Sequence, residues 1–164
     1  MDGTGPPRIL VAGIGNIFAT DDGFGCAVVR QLAGVRLPDG VRVVDYGIRG
    51  MHLAYDLLEP WDALVLVDAV PDRGAPGTIE LLEIDAEHVG GGAGVDAHGM
   101  DPATVLATLA ALGGALPART LLVGAQVTET GEGMGLTPPI EAAVAEAVRE
   151  VRACVAGLQP AAVR

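Results

Sequence analysis

Residues 63–70, ALVLVDAV, restrict the fold of this chain more than any other stretch. Seven of the eight are apolar and they do not alternate with polar residues. A strand of that kind is covered on both faces, which predicts a central position in a mostly parallel sheet. Asp68 is the one polar residue in the run. Strand-like runs recur at Arg8–Ala12, Val41–Asp45, Thr78–Ile84 and Thr120–Val127. Helical patterns lie between or after them. Asp22–Leu32 carries Phe24, Ala27, Val28 and Leu32 on one face, and Met51–Glu59 runs up to Pro60. A third helix opens at Asp101-Pro102 with the stripe Val105, Leu106, Leu109 and Leu112. The last opens at Thr137-Pro138, with Ile140, Ala143, Val144, Ala147, Val148, Val151, Val155 and Leu158 on its apolar side. Strands alternating with helices predict an α/β fold: three layers, a mostly parallel twisted five-stranded sheet, helices on both faces.

The 164 residues are expected to form a single domain, 1–164, without internal repeats. Aromatics are only 3% of the chain, so the core is expected to rest on Val, Leu, Ile and Ala. No apolar stretch is long enough to span a membrane, and MDGTGPPRIL does not resemble a signal peptide. A net charge of −11 argues against nucleic acid as a partner, because phosphate is bound by Lys and Arg. Cys26 and Cys154 have no metal-type spacing and read as reduced thiols of a cytoplasmic protein, Cys154 on the apolar side of the last helix. Without a heptad seam or a long exposed apolar helix face, a monomer is expected. Residues 89–99, VGGGAGVDAHG, read as a mobile loop.

In open α/β sheets ligands bind beyond the carboxyl ends of the strands. Three residues fall at or beside such ends: Asp22 after the first strand, Asp68 near the end of ALVLVDAV, and His98 in the glycine-rich loop. Each has a plain structural use as well. Asp22 or its neighbour Asp21 can stabilise a helix N-terminus, Asp68 can be a solvated turn residue, and His98 can be exposed. His52 and His88 have less claim. If buried, Asp68 needs a partner or a metal. Together the three make an oxygen, oxygen, nitrogen set suited to nickel or zinc with positions left open. Alternatively, two carboxylates can share a proton and activate water.

GIGNIFATDDGFG, residues 13–25, has the look of a phosphate loop but not its chemistry. Phe18 stands where a dinucleotide fingerprint needs its third glycine, Asp21 and Asp22 would repel a pyrophosphate, and there is no GK[ST]. The chain contains no serine, which excludes a serine triad, and no convincing Cys/His pair is visible. That leaves the carboxylates, or a metal they hold, as the groups that could activate a water.

Five segments in order resemble the maturation endopeptidases of nickel–iron hydrogenases over nearly the whole chain. They are GIGNIFATDDGFG; DYGIRGMHLAYDLL; LVLVDAV followed by APGTIEL; DAHGMDPATVLATL; and LLVGAQV with GLTPPIEAAV. The resemblance implies a phosphorylase/hydrolase-like three-layer fold and places the family's metal-contacting positions on Asp22, Asp68 and His98. The first of these is often Glu in the family; Asp22 is one methylene shorter, which alters reach and not donor type. The implied activity is removal of a C-terminal extension from the nickel-loaded precursor of a hydrogenase large subunit, with Asp22 or Asp68 as the aspartyl-type base. Nickel then arrives with the substrate as a recognition element, and zinc or cadmium could take its place in vitro. A nickel-binding maturation chaperone without proteolysis is the alternative. Gly13 and Gly15 are expected to let the first loop turn tightly, with Gly47 and Gly50 acting similarly in the second. If His98 is a ligand it binds as the neutral imidazole, so metal binding should weaken as pH falls through about 6–7.

Overall fold

The computed structural model describes residues 4–85 and 102–160. Among them are β1 (Ile9–Ile14), β2 (Val41–Gly47), β3 (Ala63–Pro71), β4 (Ile79–Glu83) and β5 (Arg119–Val127). They form one sheet in the order β2-β1-β3-β5-β4. β1, β2, β3 and β5 run parallel, and β4 closes one edge antiparallel to β5. The helices are α1 (Phe24–Leu32), α2 (Gly50–Asp56), α3 (Pro102–Ala111) and α4 (Pro138–Gly157).

Successive strand residues point to opposite faces, and both faces are apolar here. Ile9, Val11, Val65, Val67 and Val123 meet α1 and α4 through Val28, Leu32, Ala147 and Val151. Leu10, Ala12, Leu64, Leu66 and Leu122 meet α2 and α3 through Leu53, Leu57, Val105 and Leu109. Leu53, Leu64 and Leu109 are fully buried, each contributing roughly 1.5–3 kcal/mol of apolar burial. The continuous apolar character of ALVLVDAV is thus explained by helices above and below β3. Aromatics are few yet not marginal: Phe24 and Tyr46 are among the largest fully buried side chains.

Strand limits shift by one or two residues, and three helix boundaries differ in ways that affect packing. The segment before α1 is a 3-10 turn, Thr20–Gly23, so the helix proper starts at Phe24, two residues after Asp22. α2 stops at Asp56, ahead of Pro60, because the Trp61 indole N–H donates to the Asp56 carbonyl at 2.8 Å and ends the helix there. Leu112 lies beyond α3 and is exposed, leaving Val105 and Leu109 as that helix's buried contacts. The Asp101 cap and the 89–99 loop lie outside the described residues.

From β1 the chain passes to β2 on one side; β3 then lies on the other side of β1. The loops that leave β1 and β3 therefore diverge, opening a crevice at the carboxyl ends of these strands. Gly25 sets how closely α1 approaches that point. A Cβ on Gly25 would collide with the backbone carbonyls of Val67 and Ile14. Glycine at the helix start is what lets α1 rest directly on β1 and β3.

Candidate active site

Asp68 belongs to β3 itself and not to a turn. β1 and β3 pair as far as Gly13 and Val67, so Asp68 is the first β3 residue past the point where β1 leaves the sheet. It is still paired with Gly124 of β5, which fixes its backbone. Its side chain is half-buried, and its Oδ1 accepts the Ala69 N–H at 2.8 Å.

Asp22 reaches the same place from the β1 loop. The loop folds back so that Asp22 Oδ2 accepts the Asn16 N–H at 2.8 Å. Gly15 lies between the two acidic residues: a Cβ there would overlap the Asp22 carbonyl oxygen and stand 3.9 Å from Asp68 Oδ1. Its φ of +140° is one that residues with side chains rarely adopt. The Asp22 backbone and the Asp68 carboxylate, 46 positions apart in sequence, thus both approach Gly15, while the Asp22 carboxylate is held on the neighbouring Asn16 N–H.

The two neighbouring aspartates, which the sequence leaves unresolved, have separate environments. Asp21 is 1% exposed and accepts the Thr137 N–H and the Thr137 hydroxyl, both at 2.7 Å. It ties the β1 loop to the segment ahead of α4. Asp22 is half-exposed, and neither carboxylate caps α1: the residue preceding that helix is Gly23, with no side-chain cap. Both aspartates do lie in the first turn of the 3-10 segment Thr20–Gly23, where a carboxylate favours the local dipole.

More bonds hold the loop in place. Thr20 N–H donates to the Gly133 carbonyl at 2.9 Å, Gly133 N–H to the Phe18 carbonyl at 2.9 Å, and Asp21 N–H to the Glu129 carbonyl at 3.0 Å. Thr20 has a φ of 51°, and its hydroxyl donates to Gly131 at 2.7 Å. Phe18 is 61% exposed and packs against no helix start. The close contact that a dinucleotide fingerprint assigns to its third glycine is made here by Gly25 instead.

Beside this pair, the loop after β2 forms the second wall of the crevice. β1 and β2 slip register between Gly13 and Ile14, leaving Tyr46 unopposed, and Gly15 N–H donates to the Gly47 carbonyl at 3.0 Å. Gly47 has a φ of +57°, and its N–H donates to Asp45 Oδ1 at 3.1 Å. Gly50, by contrast, is simply the first residue of α2. Cys26 lies beneath the wall, 1% exposed, with its thiol 3.6 Å from the Gly15 carbonyl. Burial, and then hydrogen bonding to the Asp45 carboxylate, push this thiol up to about 12. It is a protonated donor at neutral pH. Asp45 and Cys26 border the crevice without having stood out in the sequence, although Asp45 meets the same strand-end criterion that selects Asp68.

His98 and His88 lie outside the described residues; His52 is exposed on α2. Among the described residues no three His, Cys, Asp or Glu side chains are grouped to hold a metal ion. Asp22 and Asp68 would supply two oxygen donors, so a third donor from the substrate or from residues 86–101 would be needed to complete a set.

Comparison with known proteins bears on such a site. The family described as hydrogenase maturation protease matches residues 26–153. The hydrogenase expression/formation protein HupD of Rhodobacter capsulatus is 38% identical over 155 residues, covering 90% of this chain and 73% of that protein. The hydrogenase 2 maturation protease of Escherichia coli K12 is 35% identical over 150 residues, covering 90% of each. The solved structure of the hydrogenase maturating endopeptidase HybD from E. coli matches with a TM-score of 0.78 at 35% identity, over 92% of this chain and 93% of that one.

Proposed function

Since the chain belongs to the hydrogenase maturation protease family, and is therefore an endopeptidase of hydrogenase maturation, we propose that it removes a C-terminal extension from the nickel-loaded precursor of a nickel–iron hydrogenase large subunit. The observation that carries this reading is that the Asp22 carboxylate is held on Asn16 N–H and Asp68 Oδ1 lies against the adjacent Gly15, at the divergence of β1 and β3. Hard oxygen donors at an open crevice suit a borderline divalent ion that arrives with other ligands already attached. Nickel is then part of the substrate. Asp22, Asp68 and His98 would read it, and zinc or cadmium would occupy the same donors in vitro.

The reaction is hydrolysis of a peptide bond. A water oxygen adds to the scissile carbonyl carbon while one of the two aspartates takes its proton. That proton passes to the leaving nitrogen as the C–N bond breaks. The Asn16 and Ala69 N–H groups hold the two carboxylates at fixed positions throughout. Fixed charges of this kind need no reorganisation when the nickel and the scissile bond arrive. The two cysteines, both free and buried, fit a reducing compartment, and we place the reaction in the cytoplasm with the protein acting as a monomer.

Intact mass of a purified large-subunit precursor, with and without nickel, tests this. Incubation with the protein is expected to remove one C-terminal peptide from the nickel-loaded form only. An unchanged mass, with nickel still bound through Asp22 and Asp68, would replace the protease by a nickel-binding chaperone.

A further inference from the structure

The wall formed by Gly15 and Asn16 has a second side. There, an open groove of about 250 Å3 runs between the β1 loop and the β2–α2 connection, toward β2 at the edge of the sheet. Ile17, Phe18 and Ile48 line it, and Phe18 and Ile48 are 61% and 62% exposed. Large apolar side chains held that far out along one cleft are a common mark of a binding surface. Neither contributes to the buried clusters of the fold.

The groove also carries positive charge. Arg30 and Arg49 both line it, in a chain whose net charge is −11. Arg30 lies 3.4 Å from Asp45 with its side chain 61% exposed. Arg49 is held with Nη2 at 2.7 Å from the Asp45 carbonyl and Nε at 3.2 Å from that of Tyr46. Within the groove's own lining two guanidiniums stand against one carboxylate, Asp45, so an anion is favoured at this end over the Asp22–Asp68 end.

We propose that this groove holds the C-terminal extension of the precursor, next to the bond that is cut: an apolar side chain lodges between Phe18 and Ile48, and an acidic group lies against Arg30 and Arg49. This rests on the proposed protease activity and identifies which part of the substrate the second wall reads. The position argues for the extension over the folded body. Gly15 and Asn16 belong both to the groove and to the Asp22–Asp68 site, so whatever fills the groove is continuous with what is cut. The body has to present its nickel to the two aspartates. The free tail is the part that can extend along the open groove beside β2.

The test combines kinetics with mapping by crosslinking on the nickel-loaded precursor. Ile48→Asp and Arg30→Gln are expected to raise KM about tenfold while kcat stays within about threefold, the pattern of a lost binding contact remote from the reacting atoms. A photoreactive phenylalanine analogue at position 18 is expected to crosslink to the extension, within a few residues of the cut. Cleavage with unchanged KM in both variants, or crosslinks confined to the folded body, would overturn the groove assignment while leaving the protease intact. No cleavage by the wild-type protein would overturn both.

Discussion

Gly15 has no room for a side chain. Its φ is +140°, and a Cβ would overlap the Asp22 carbonyl. Gly15→Ala is therefore expected to cost about 2–3 kcal/mol of stability by backbone strain and contact, read from urea unfolding, and to displace Asp22 from Asp68. Activity should fall more than stability explains. A variant as stable and as active as wild type would mean that the loop has a second, unstrained path. Cys26, a few ångströms away, gives a pH signature. Its thiol ordinarily titrates near 9.0 and is pushed up to about 12 in the folded chain, mainly by burial. A raised acid favours folding while protonated, so its contribution is complete below about pH 9 and is lost as pH rises toward 12. Between pH 8.5 and 10.5 the wild type should lose more stability than Cys26→Ala does. Tyr46, also raised by burial and by its bond to Asp56, acts in the same direction in both proteins and cancels in the comparison.

At the scale of elements, Asp21 and Thr137 form a latch between the β1 loop and the start of α4. Both hydrogen bonds measure 2.7 Å and end on a buried carboxylate. Asp21→Ala should destabilise by about 1–3 kcal/mol, since bonds to a charged group are the stronger kind and the half-buried Thr137 donors would lose their acceptor. Asp21→Asn keeps an acceptor for the Thr137 N–H and should recover most of that loss; equal melting temperatures for the Ala and Asn variants would deny the latch. This contact joins residues 116 apart in sequence, and no local pattern marks it. The strands and helices were legible because burial on two faces leaves a periodic apolar trace. Asp68 stands out in the sequence because a polar residue there interrupts an apolar strand, whereas Asp22, in the 3-10 turn well past the end of β1, was marked only by its place in the loop that follows that strand. Asp45 met the same rule, but β2 is an edge strand with a more polar sequence, so the interruption does not stand out. The separate environments of Asp21 and Asp22, and the role of Gly25 under α1, depend on how the loop folds back on the sheet. Neither is encoded in spacing.

Across the whole molecule, the sheet order sets what the chemistry can be. β1 and β3 are neighbours whose loops diverge, so the two aspartates proposed to act come one from the loop after β1 and one from the end of β3. The walls of the crevice continue into a groove of opposite character, apolar with positive charge, in an otherwise acidic chain. Family membership supplies the reaction class, and this geometry supplies the residues proposed to perform it. The most direct measurement is the rate of extension loss from the nickel-loaded precursor, by intact mass, for Asp22→Asn, Asp68→Asn and the double variant, each with its melting temperature checked. If the two carboxylates work as one unit, each single variant should lose at least about a hundredfold in rate, and the double variant should lose little more. Folded single variants that cleave within about fivefold of wild type would contradict the account and move the chemistry away from the meeting point of β1 and β3.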